Sequence, residues 1–151
     1  MGRYFTPFLT VFSFGIFAYA ISTIIIYLAD GEFEMHLLEL RKVKKIRNLQ
    51  NHIIICGYGR NGKQIVQELN SSGQDYGLIE KEPEVINEAI VDNCNSYLKG
   101  EATDDNTLIE AGIAKAKALI TTLPVDADNV CVVLTAREMN RNLLIVSLSL
   151  I

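Results

Sequence analysis

Clustered cysteines and histidines, the raw material of metal and redox centres, are missing from this chain. Of its 151 residues only Cys56, Cys94 and Cys131 are cysteine, and only His36 and His52 are histidine. The cysteines are widely spaced and odd in number, without a C-x-x-C or metal-ligand spacing. That pattern excludes a zinc site or a dithiol centre and predicts buried or incidental thiols in a reducing compartment. No carboxylate cluster reads as a calcium site. None of the six tyrosines has a lysine four residues on, so the Tyr-x-x-x-Lys pair of a membrane-anchored NAD-dependent dehydrogenase or epimerase is absent. Basic charge is also short where it would matter. Residues 52–151 carry eight Lys or Arg against fourteen Asp or Glu, and a phosphate backbone needs a basic face, so nucleic acid is not a partner.

Apolar residues are plentiful. They make up 49% of the chain, and the excess is local: residues 8–28 contain 21 positions without a charge. As a helix this run spans roughly 31 Å, the thickness of a hydrocarbon core. It reads as a transmembrane helix in contact with lipid. Ala18-Tyr19-Ala20 resembles a signal-peptide cleavage site, but the apolar run continues through residues 21–28, too far for an h-region. Arg41, Lys42, Lys44, Lys45 and Arg47 follow on its C-terminal side, which by the positive-inside rule places the rest in the cytoplasm of a single-pass inner-membrane segment. Gly15, Ala18 and Ser22 give the helix a small-residue face, suited to close packing or, at Gly15, to flexing.

Three segments are expected: 1–31 in the membrane, 32–51 a helical basic linker, and 52–151 a globular domain. In the linker Leu37, Leu40, Val43, Ile46 and Leu49 recur at threes. That stripe fits a helix on the membrane surface, one packed on the next domain, or a coupling rod, and nothing in the pattern chooses among them. From His52 onwards strand and helix patterns alternate. Strands are expected at residues 53–55, 76–80, 97–98, 118–123 and 143–148. Helices are expected after the glycine turn as far as Ser72-Gly73, from Pro83, from a Thr103 cap to Gly112, and from an Asp126 cap to about Asn140. This is an α/β chain with a doubly wound parallel, Rossmann-like sheet. It stops at Ile151, directly after the fifth strand, and so reads as a fragment.

The motif that carries chemistry is Gly57-Tyr58-Gly59-Arg60-Asn61-Gly62, a G-x-G-x-x-G turn between a buried strand and an amphipathic helix. Gly57 permits the turn, Gly59 lets a pyrophosphate approach the backbone, and Gly62 lets the helix pack close to the sheet. The helix N-terminus offers amides and partial positive charge to phosphate, and Arg60 stands where an anion would sit. Glu80, at the end of the second strand, is placed to accept from a ribose diol. Lys81 beside it, Glu101, Ala102 and Thr103 after strand three, and Thr122 after strand four lie at the carboxyl edge, where such folds bind ligands. NAD(H), ATP, ADP and AMP share the adenosine-phosphate portion that this turn recognises.

With these residues assembled, the chain resembles prokaryotic potassium channels that carry an RCK (TrkA-N) domain. Gly2-Arg3-Tyr4-Phe5-Thr6 looks like the stretch after a selectivity filter, and Gly15-Ile16-Phe17-Ala18-Tyr19-Ala20 like the inner-helix segment with its hinge glycine. Cys56-Gly57-Tyr58-Gly59-Arg60-Asn61-Gly62, Gly100-Glu101-Ala102-Thr103 and Leu123-Pro124-Val125-Asp126-Ala127-Asp128-Asn129 are similar to the signatures of the domain. The resemblance implies a homo-oligomer, with a tetrameric pore and RCK dimers or a gating ring, in which nucleotide controls potassium ion flow. It departs in three respects. No filter or first membrane helix is present, so this chain alone should not conduct. Glu101 replaces an Asp, and the last strand, crossover helix and C-terminal subdomain are missing. The regulatory domains of potassium efflux antiporters and Trk-type uptake systems are the alternative.

Overall fold

The computed structural model describes residues 2, 4–29 and 45–148. The chain divides into two compact units, Met1–Leu38 and Glu39–Ile151. In the first, helix α1 (Phe5–Ala29) runs unbroken through Gly15. Its stretch Phe5–Ile26 is apolar and long enough, at 22 residues, to cross a membrane, and none of it is buried in its unit. Two hydroxyls inside it pair locally: Ser22 donates to Ala18 O and Thr23 to Tyr19 O, both at 2.9 Å.

The second unit is a five-stranded, wholly parallel sheet: β1 (Ile53–Cys56), β2 (Tyr76–Glu80), β3 (Tyr97–Lys99), β4 (Ala118–Thr121) and β5 (Leu144–Ser147). The order β3-β2-β1-β4-β5 places β1 at the centre, and the chain reverses direction across the sheet between β1 and β4. The connecting helices are α2 (Arg60–Ser72), α3 (Pro83–Val91), α4 (Asp105–Glu110), followed by a 3-10 turn at Ile113–Lys115, and α5 (Asp126–Met139). Two apolar layers flank the sheet. Ile54, Cys56, Leu119, Val132 and Leu143 form one, and Ile55, Val66, Leu78 and Ile86 the other. The unbroken apolar run of β1 is what a central strand covered on both faces requires. Cys56 and Cys94 are buried and Cys131 is exposed; burial pushes the Cys56 thiol up to about 12, so it is inert.

Most element ends fall where the chain's punctuation puts them. Pro83 opens α3, and Gly73, left-handed at φ 66°, closes α2 with its amide on Asn70 O. Three differ. The cap of α4 is Asp104, whose carboxylate accepts from Asn106 N at 3.1 Å, and not Thr103. Helix α5 has Val125 at its cap position, so Asp126 lies inside the first turn, where its charge meets the helix dipole. Strand β4 ends at Thr121, because Thr122 turns its hydroxyl back onto β1.

Two positions of the linker stripe, Ile46 and Leu49, are among the described residues; the helix expected to run to Asn51 ends at Arg47, and Leu49 lies half-buried beyond it. Residues 45–47 are helical, and Ile46 is fully buried against Gly77 of β2, where an added Cβ would come within 3.1 Å of the Ile46 Cγ2. At Ile46 the stripe therefore packs on the domain. The positions at 32–44, with Leu37, Leu40, Val43 and the basic residues 41–44, lie outside the described residues.

Candidate functional site

A cavity of about 390 Å³ opens at the carboxyl edge of the sheet, beside the point where strand order reverses. Ligands of open α/β sheets bind at that point. Its floor is the β1–α2 turn. Gly57 adopts φ +93°, a left-handed conformation that glycine tolerates and other residues resist. Gly62 lies so near the turn that an added Cβ would sit 2.1 Å from Gly57 O. Only a bare backbone fits there, and the helix axis is thereby aimed at the cavity. At Gly59 the situation is the reverse, since a Cβ there would meet nothing within 4 Å. Gly59 is also the cap residue of α2, with no side chain capping the helix. The first-turn amides, which no helix can satisfy internally, therefore face the space over Gly59.

Glu80 does more than the sequence reading assigned to it. Its carboxylate accepts from Tyr58 N at 2.9 Å through one oxygen, and from Lys81 N at 2.8 Å and Glu82 N at 3.1 Å through the other. It thus binds the glycine turn to the end of β2. The oxygen that holds Tyr58 N keeps a lone pair for a ribose hydroxyl.

Of the other candidates, Arg60, Asn61, Lys81, Glu101, Ala102 and Thr103 line the cavity. Lys81 and Glu101 face each other across its rim at 3.6 Å, both more than half exposed. Two candidates act through the backbone or as braces. The Tyr58 ring is buried and its hydroxyl donates to Asp92 at 2.9 Å, where Lys63 also pairs at 2.8 Å. Burial, followed by the Asp92 contact, raises the Tyr58 pKa, and the Lys63 contact lowers that of Asp92. Thr122 directs its hydroxyl to Cys56 O at 3.2 Å and Gly57 O at 3.1 Å, so its proton holds the turn. Gly62 lies beneath the cavity rather than on its wall.

Asn129, which closes the last signature, is a functional residue that the sequence pattern does not single out. It is 2% exposed. Its Oδ1 accepts from Thr121 Oγ1 at 2.6 Å and Leu123 N at 3.0 Å, and its Nδ2 donates to Leu123 O at 2.8 Å. The β4–α5 wall, made of Leu123, Pro124 and Val125, is fixed by this one side chain. The available signal was its position three residues into a helix that follows a Pro-containing loop, too weak to name a partner.

Comparison with known proteins agrees with this geometry. The profile of the TrkA-N domain matches residues 53–149. Probable potassium channel protein 2 of Methanocaldococcus jannaschii is 39% identical over 148 residues, covering 96% of this chain and 43% of its own length. The chain thus spans less than half of that relative. The TrkA-N domain of the inner membrane protein ybaL from Escherichia coli superposes with a TM-score of 0.63 at 25% identity, over 68% of this chain and 75% of that one. The Kef CTD of Shewanella denitrificans, solved in AMP-bound form, gives a TM-score of 0.56 at 26% identity, over 64% of this chain and 57% of that one.

Proposed function

This chain belongs to the TrkA-N domain family, and from that premise we propose that it is the nucleotide-sensing portion of a potassium channel. An adenine nucleotide binds at the β1–α2 turn, and its arrival is transmitted to the apolar helix α1. The observation that carries the reading is the contrast inside the turn. Gly62 is packed so tightly that no side chain fits, while the space over Gly59 is empty and faced by uncapped helix amides. A turn built only for packing has no reason to hold that space clear.

The ligand class follows from the surroundings. Ile79, Val85 and Ala102 offer apolar surface to a base, Glu80 keeps an acceptor for a ribose hydroxyl, and Arg60 stands beside the amides. AMP in the Kef relative supports the same assignment. The relative matched over 96% of this chain is named a potassium channel protein, which supports a regulatory rather than a catalytic role. Nucleotide shifts the channel's equilibrium by as much as it prefers one state of the domain over the other.

The Kef likeness favours a second reading, the regulatory domain of a potassium efflux antiporter. It covers 64% of this chain, whereas the match to the archaeal channel covers 96% and so takes in most of α1. That extension favours the channel, in which the domains assemble with copies of themselves around the pore, on the cytoplasmic side. Titration calorimetry of the full chain in detergent micelles with AMP tests the binding step. Saturable heat supports it, and its absence up to millimolar AMP would sink it.

A further inference from the structure

Resting on that reading, we infer that the cavity discriminates among adenine nucleotides by charge, and that affinity falls with each phosphate added from AMP to ADP to ATP. The cavity is lined by two cationic side chains, Arg60 and Lys81, and four carboxylates, Glu80, Glu82, Glu101 and Asp128. A site built for a polyphosphate carries the opposite balance.

The cations are fewer in effect than in number. Lys81 is held on the rim by Glu101 at 3.6 Å. Arg60 has no carboxylate partner among the described residues, and it stands at the first position of α2, next to the amides over Gly59. One guanidinium and one helix N-terminus can match one phosphate, or the two of a pyrophosphate diester. A chain of phosphates continuing past the turn towards β4 comes to the adjoining β4–α5 wall, where the Leu123 side chain lies against Gly57. There it meets Leu123, Pro124 and Val125, which offer no donor side chain, and then the Asp128 carboxylate. Each added phosphate brings at least one more negative charge into a cleft whose own balance is negative. The amides of Tyr58, Lys81 and Glu82, which could have contributed donors, are already taken by Glu80.

The discrimination is electrostatic, so salt should weaken it. The Debye length is about 14 Å at about 50 mM salt and about 4 Å at about 500 mM. The experiment is calorimetric titration of the full chain in micelles with AMP, ADP and ATP, without divalent cations, at about 50 mM and about 500 mM KCl. The expected result is AMP binding about tenfold tighter than ATP at low salt, with ADP between them and the ratio shrinking at high salt. Asp128→Asn should narrow the ratio by raising ATP affinity while leaving AMP within about twofold. ATP binding as tightly as AMP, or a ratio that ignores both salt and Asp128→Asn, overturns the inference and leaves nucleotide sensing standing. No heat from any of the three removes the reading beneath it, and the inference with it.

Discussion

Two crossovers at the same sheet edge, β1–α2 and β4–α5, solve the same problem in opposite ways. Each must turn a buried strand into a helix without stranding backbone polar groups. At β4–α5 the Asn129 side chain bonds both the amide and the carbonyl of Leu123 and the hydroxyl of Thr121, and the turn is closed. Neither helix carries a side-chain cap; at β1–α2 the bracing groups, Glu80 and Thr122, bond the turn from outside, and a Cβ at Gly59 would meet nothing within 4 Å. The open crossover is the one whose backbone a ligand can approach.

The comparison can be broken most forcefully at Gly62. Gly62→Ala drives a methyl to 2.1 Å from Gly57 O, and should remove about 3 kcal/mol of stability, read from urea unfolding. Closed turns should be nearly as sensitive. Asn129→Ala leaves Leu123 N and Leu123 O without their side-chain partner in a buried setting, with an expected loss of about 2 kcal/mol by the same assay. Glu80→Gln replaces an acceptor of three amides with a group that presents N–H to some of them. Stability should fall by about 1 kcal/mol, and AMP affinity should fall with it because the turn loses its tie to β2.

What could be read in advance was what local pattern controls. The glycine turn, the apolar strands, Pro83 and Gly73 each act within a few residues of their own position, and each stands where its chemistry placed it. Side-chain partnerships across the sheet were not legible. Glu80 was read as reaching out to a ribose, but it first turns inward to Tyr58 N, 22 residues back. Tyr58 sits in the motif, yet its ring leaves for Asp92, and Thr122 bonds β1 across 66 residues. Such pairings depend on which strand ends become neighbours, and sequence spacing does not encode that. The Thr103 cap failed for a smaller reason: two good capping residues stand side by side, and the backbone turn selected Asp104.

The smallest expected effect is at the other end of β1, where His52 gives a control distant from both turns. His52 is fully buried, its Nε2–H donating to Ala111 O at 2.8 Å while Nδ1 has no partner among the described residues. Burial lowers its pKa below the usual 6.5, against smaller raising contributions from the Ala111 bond and from Asp75. The unfolded chain then takes up the proton first. This contribution is fully present above pH 6.5 and is lost as pH falls from there towards the depressed folded value. Thermal melts from pH 7.5 to 5.5 should show that decline, reduced in His52→Gln.

The most direct test of the open turn is thermal melting of the full chain in micelles with and without millimolar AMP, for wild type and Gly59→Asp. A Cβ at Gly59 meets nothing within 4 Å and its φ is an ordinary −72°, so the variant should melt with the wild type when no nucleotide is present. Its carboxylate would then occupy the phosphate position. The account predicts that AMP raises the melting temperature of wild type and leaves Gly59→Asp unmoved; equal shifts in both would contradict it.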